Sequence, residues 1–184
     1  MRLILSTVVI ALVAGVLAGG TLRDFPALHV RWPWIALIGV VLQFLVIRGA
    51  LAFPVLLASF ACLLFFAGAN VRVPGFALIL VGLSLNVLVI SANQGMPVTQ
   101  HALTASNQAA AISDLTTNTD GQKHFLADEG TLLLPLGDVI AIGNPIRQAV
   151  SVGDIFVHLG IAWFIVLALR KPREAPLLPE PSKG

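Results

Sequence analysis

The sequence predicts an all-α polytopic bundle of about five membrane-spanning helices with one long outward-facing polar loop. Three observations carry that reading. The 184 residues are 57% hydrophobic and only 11% charged, whereas soluble domains carry about 25% charged residues. The apolar residues fall into runs near the roughly 20 residues that a helix needs to cross a bilayer. Lys and Arg stand singly at the ends of those runs, where they set orientation. The formal net charge of +2 therefore forms no basic stripe, and nucleic acid is excluded as a partner.

The first run, Leu3 to Leu22, is uncharged and flanked by Arg2 and Arg23. It is long for the apolar core of a secretory signal, so a retained first helix is expected over about 3–22. Small residues such as Ala14-Gly15 suit close helix packing. Arg23 to Arg31 makes a polar connection, and Trp32-Pro33-Trp34 marks a membrane interface. A single helix over 32–69 would be about 57 Å long, too long for one crossing. Two helices, about 34–47 and 50–69, with a tight turn at Arg48-Gly49 fit better. Gln43 is expected to bond to a neighbouring helix.

Pro74-Gly75 punctuates the next loop, and a fourth helix spans about 76–92 with Ser84 and Asn86 facing other helices. Gly95 and Pro97 stop it. Residues 93–150 are the polar loop. Within it, Thr104 to Leu115 reads as one short surface helix and Thr116 to Gln122 as a mobile loop. The last helix is about 151–169. Residues 1–169 thus form a single transmembrane domain, and the Pro-rich segment 170–184 reads as a disordered tail. With five helices, seven Lys/Arg fall on the face of the tail and four on the other. The tail is then cytoplasmic and the loop extracytoplasmic, in a bacterial inner (plasma) membrane. Six of the nine acidic residues lie in the outward segment.

Two Gly-Asp units stand out there, Leu136-Gly137-Asp138 and Val152-Gly153-Asp154, with a Gly143-Asn144-Pro145 turn between them. Carboxylates at the mouth of an apolar run are costly and need a partner or a task. Two of them held together cannot both ionise easily, so one activates water and the other donates a proton. Asp138 and Asp154 are the candidate catalytic residues, and Asn93 and His158 the candidate substrate-binding ones. The structural alternatives are specific. Ser151 to Asp154 has the spacing of a capping box with Asp in place of Glu. Asp138 pairs with Arg147 or Lys123, Asn93 caps a helix C-terminus, and His158 bonds to Asp154 one turn away. His101, His124 and Asp128 lack the tight spacing of a zinc motif, so no metal and no cofactor is expected. Cys62, the single cysteine, lies in an apolar run and reads as a packing residue.

Two resemblances follow from these residues. Asn93…Met96-Pro97-Val98, Leu136-Gly137-Asp138-Val139 and Ser151-Val152-Gly153-Asp154-Ile155 resemble a family of small bacterial integral-membrane proteins, a domain of unknown function with about five helices. The region Asp138 to Ala162 is similar to the C-terminal end of lipoprotein signal peptidase. That likeness implies an Asp138/Asp154 dyad, with Asn93-Gln94-Gly95 in the place of the peptidase's Asn-x-Gly loop. The peptidase's Gly-Asn-x-x-Asp-Arg motif is missing here. The sequence therefore points to a multi-pass membrane protein with an outward Asp138/Asp154 site. Its alternatives are an intramembrane aspartyl hydrolase of a membrane-anchored peptide, or a non-catalytic scaffold for an envelope complex. Its partners are the lipid bilayer and another membrane or envelope protein.

Overall fold

A computed structural model describes residues 2–20, 30–45, 49–117 and 123–170. The tail 171–184, residues 21–22 of the expected first helix, residues 23–29 of the polar connection, residues 46–47 of the expected second helix, Arg48 and residues 118–122 of the expected loop lie outside the described residues. Five apolar helices form the bundle: α1 (Arg2–Leu17), α2 (Pro33–Phe44), α3 (Ala52–Ala69), α4 (Phe76–Asn93) and, last in the chain, α7 (Val152–Leu169). Among the described residues three segments are long and apolar enough to cross a membrane, Gly49–Ala69, Phe76–Asn93 and Val152–Leu169, while α1 and α2 are apolar but shorter.

Local chemistry sets the ends. Pro33 opens α2 at its first position, where the missing N–H has no acceptor to lose. A 3-10 turn over Gly49–Leu51 leads into α3. Asn70, almost fully buried, receives a hydrogen bond from the Arg31 N–H and donates to the carbonyls of Arg31 and Phe66. That clamp fixes the start of α2 against the end of α3, where the Trp32 ring stacks on Phe65 at 5.3 Å. Gly39 meets Leu63 and the Ser59 carbonyl further along, so α2 and α3 run antiparallel.

The α4–α7 crossing is built on glycine. Gly82 faces Gly153, and seven residues away Gly75 faces Gly160, so the two backbones touch and run antiparallel. α1 runs parallel to α7: the Leu3 N–H reaches Gln148 Oε1 at 3.4 Å near one end, and Gly15 rests on Leu169 at the other. The main core lies between α3 and α4, around Leu56, Phe60, Leu83 and Ile90. Asn86 is buried and faces α7, as expected. Ser84 does not face a helix: it is exposed, and its hydroxyl donates back to the Leu80 carbonyl.

The segment 93–150 is not a simple loop, and it departs from the all-α expectation. Its described residues hold two helices, α5 (Gln100–Ala105) and α6 (Ala110–Thr117), and four short strands, β1 (Met96–Val98), β2 (His124–Leu126), β3 (Ile140–Ile142) and β4 (Gln148–Val150). The expected Thr104–Leu115 helix is split over residues 106–109, where Asn107 takes a left-handed backbone. Thr116 and Thr117 belong to α6. β1 and β2 pair in parallel, β3 and β4 antiparallel. Val98, Leu103 and Ala149 bury a second small core beneath this cap.

Candidate functional site

β1 organises the site from its two edges. On one edge, Met96 is in register with His124 and Val98 with Leu126. On the other, Val98 bridges Asp138. The Asp138 N–H donates to the Pro97 carbonyl at 2.8 Å, and the Thr99 N–H donates to the Asp138 carbonyl at 3.3 Å. Gly137 lies so close to Pro97 that a side chain there would collide with it. Three residues of strand therefore hold His124 and Asp138 on a common frame, with His124 Nε2 3.5 Å from Asp138 Oδ2.

Asp138 is buried, and its Oδ1 has no hydrogen-bond partner. A buried, unpartnered carboxylate oxygen is destabilising by about 1–3 kcal/mol or more, and protonation relieves it. Burial first, and then the negative charge of Asp154, push the Asp138 pKa up to about 8. That shift favours the carboxylic acid over the carboxylate at neutral pH. The His124 side chain is 53% exposed and lines the cavity described below. Desolvation lowers its pKa, Asp154 opposes that shift and Lys123 reinforces it. A protonated carboxyl beside a neutral imidazole is the pairing that these shifts favour.

Asp154 is held differently. The Ser151 hydroxyl accepts from the Asp154 N–H at 2.9 Å, and Asp154 Oδ2 accepts from the Ser151 N–H at 3.3 Å. That is a capping box at the start of α7, as the spacing suggested. Asn86 completes it across the helix pair: its Nδ2 donates to Asp154 Oδ1 at 2.8 Å, and its Oδ1 accepts from the buried Ser151 hydroxyl at 2.9 Å. α7 thus begins opposite a residue seven positions before the end of α4, about 10 Å down that helix. The polar cluster lies below the rim of the bundle.

A cavity of about 870 Å³ opens at this level and is lined by both Asp138 and Asp154. Asn86, His124, Lys123 and Gln43 face it as well, with Leu56, Phe60 and Ile90 on the side of α3 and α4. Gln43 therefore lines the cavity. Asn93 and His158 do not line it. Asn93 donates to the carbonyls of Val89 and Leu132 and accepts from the Leu132 N–H, so it ties the end of α4 to the segment before Asp138. The helix C-cap is Gln94. His158 Nδ1 lies 2.6 Å from the Asp154 carbonyl oxygen, and its buried Nε2 has no partner. Asp138 meets neither Arg147 nor Lys123 within ion-pair distance; its charged-group neighbour is His124. Asp128 instead closes its own turn, accepting from Gly130 and Thr131. Among the described residues no three His, Cys, Asp or Glu side chains cluster as metal ligands.

Residues 27–166 match DUF5317, a family of unknown function. The chain belongs to the DUF5317 family. The matched span includes Asn86, His124, Asp138 and Asp154, and so the whole acidic site, while α1 precedes it. This DUF5317 protein is also similar to an uncharacterized protein of Thermotoga maritima, 34% identical over 116 residues, which are 62% of this chain and 62% of that protein. The chain thus spans less than two thirds of that relative's length. No solved structure matches it. The resemblance to a family of unassigned function is met by the DUF5317 match, which brings no activity with it.

Proposed function

We propose that this protein is a membrane-embedded acid–base hydrolase whose substrate is anchored in the bilayer. The observation that carries the reading is Asp138, a buried acid with a free oxygen, facing the same cavity as Asp154. Two carboxyl groups with different environments suit the two halves of hydrolysis. Asp154 takes a proton from water as the water oxygen bonds to the substrate carbonyl carbon. Asp138 gives its proton to the leaving nitrogen of a peptide bond as the carbon–nitrogen bond breaks. Return of a proton from Asp154 to Asp138 resets the pair. A membrane-anchored peptide is the substrate class that this chemistry suits.

The same reading places five helices across an inner membrane. All five alternate in direction, with the starts of α1, α3 and α7 and the ends of α2 and α4 at the cavity face. Exposed apolar side chains such as Val81, Leu88, Leu159 and Trp163 suit contact with lipid. The cavity face is extracytoplasmic and the basic tail cytoplasmic. The test is hydrolysis of a fluorogenic lipid-anchored peptide in mixed micelles. D138N and D154N are expected to be inactive, and S151A, which loosens the cap but keeps both acids, to retain activity. Activity in either Asp variant ends the hydrolase reading.

One observation favours a second reading. Both Asp154 oxygens are already engaged by Asn86 and Ser151, as in a purely structural cap. The protein is then a non-catalytic scaffold whose 93–150 cap binds another envelope protein. An in-membrane crosslinked complex that survives D138N but is lost on deleting residues 116–122 supports that reading.

A further inference from the structure

We infer that the cavity binds an anionic amphiphile, with its phosphate or carboxylate on Arg2, Lys123 and Arg147 and its apolar part along Leu56, Phe60 and Ile90. The inference takes the cavity as the working site, as above, and names what enters it. The two walls differ in chemistry. Leu56, Phe60 and Ile90 belong to α3 and α4, within segments long and apolar enough to cross a membrane. Phe60 lies eight residues into α3, about 12 Å below its start. The apolar wall is therefore at hydrocarbon depth when the bundle spans a bilayer.

The cations come from three separate parts of the chain: the start of α1, the residue before β2 and the β3–β4 turn. Among the described residues none of the three has a carboxylate within ion-pair distance. Arg147 is aimed by a hydrogen bond from its Nη2 to the Asn107 carbonyl, 2.7 Å, which leaves its other donors unused by the fold. These three cations line the same cavity, which Asp114 and Asp154 also line, and guanidinium groups suit phosphate or carboxylate by shape. The unpartnered Asp138 Oδ1 shows that the fold does not satisfy the polar wall by itself. A protonated Asp138 donates a hydrogen bond to such a head group without repelling it.

The full chain in a neutral detergent is titrated with phosphatidylglycerol, phosphatidylcholine and inorganic phosphate, and retained lipid is read by native mass spectrometry. Phosphatidylglycerol is expected to bind at least about tenfold tighter than phosphatidylcholine, since each surface cation adds about fivefold toward an anionic lipid. The triple variant R2Q/K123Q/R147Q should lose that preference. R72Q, in the turn at the opposite end of α3, should keep it. Equal affinity for the two lipids, an unchanged preference in the triple variant, or an equal loss in R72Q overturns the inference. Displacement of phosphatidylglycerol by inorganic phosphate at equal concentration also overturns it, because the ligand is then a free anion and the apolar wall is idle. The binding readout needs no turnover. Absent lipid preference in a protein whose hydrolysis depends on Asp138 rejects this inference alone. Lipid preference without any hydrolysis leaves it standing and removes the hydrolase reading.

Discussion

His124 Nε2 lies 3.5 Å from Asp138 Oδ2, and the two residues reach that contact from opposite edges of the same strand, β1. Neither residue is placed by a helix. Because β1 is only three residues long, the pair depends on backbone hydrogen bonds and not on a large sheet. The contact joins two groups whose shifts both favour the neutral form, and this has consequences for pH.

Asp138, with a pKa raised from 3.8 to about 8, keeps its proton in the folded protein where the unfolded chain has lost it. The folded state then binds more protons than the unfolded state across that window, so stability falls as pH rises from about 4 to about 8 and levels off above. The asparagine variant has no such proton to lose. D138N should melt several degrees above the wild type at pH 8, and the gap should close near pH 4. Infrared difference spectra should show a protonated carboxyl band that titrates near pH 8 and is missing from D138N. A band that titrates near the ordinary carboxylate range would defeat the assignment.

His124 gives the opposite limb. Its pKa is lowered, chiefly by desolvation. Below the ordinary histidine pKa the unfolded chain takes up a proton that the folded chain resists, so this contribution to stability is lost as pH falls. Between about pH 5 and 6.5 this opposes the Asp138 contribution, so H124Q should make stability fall more steeply with rising pH in that window and leave the slope from about pH 6.5 to 8 in place. Slopes identical in wild type and H124Q between about pH 5 and 6.5 would show that the ring is not desolvated.

Much of this arrangement was legible in the sequence, and the reasons are local. The helices follow from apolar runs cut by Arg48-Gly49 and Pro74-Gly75, and the observed bounds differ by a few residues at most ends among the described residues. Ser151 and Asp154 are three apart, so their capping box is a local pattern. The strands were not legible, because three residues are too few for a period-two signal. The partner of Asp138 was hidden for the same reason. His124 and Asp128 have helical spacing, but His124 is in a strand, and its real neighbour arrives through β1. Asn86 could be read as facing a helix, whereas its bridge to both Ser151 and Asp154 depends on where α7 begins.

The Asn86 bridge should be expensive to remove. N86A strips a donor from Asp154 and an acceptor from the fully buried Ser151 hydroxyl. Each buried group left without its partner is destabilising by about 1–3 kcal/mol. Denaturant midpoints in micelles should fall clearly for N86A and at least as far for N86D, which keeps an acceptor for Ser151 but loses the donor to Asp154 and sets a second buried carboxyl group against it. If N86A melts with the wild type, the bridge does not hold α4 to α7.

Glycine at the same crossing can be tested separately. A methyl group on Gly153 would meet the Asn86 side chain and the Gly82 carbonyl, whereas one on Gly68 would meet nothing within 4 Å. G153A should therefore separate the helices and lower stability by about 1–3 kcal/mol, as overpacking does. G68A should be neutral or slightly stabilising, since Ala favours the helix by up to about 1 kcal/mol. Equal stability of the two variants would mean that α4 and α7 do not approach as closely as described.

Asn93 offers a way to open the site without touching it. Its side chain pins both the N–H and the carbonyl of Leu132 to the end of α4. The chain then makes a 3-10 turn over Leu134–Leu136 and delivers Asp138 to β1. N93A removes the pin but leaves the strand contacts and both acids in place. Amide exchange over residues 131–137 should speed up by at least about tenfold, the effect of losing roughly 1.4 kcal/mol of local protection. Water gains access to Asp138 as that segment loosens, so the desolvation that raises its pKa weakens. The carboxyl band should move to lower pH in N93A and stay where it is in N93Q only if the longer amide still reaches Leu132. Faster exchange with no movement of the band would separate the clamp from the burial of Asp138, and unchanged exchange would dismiss the clamp itself.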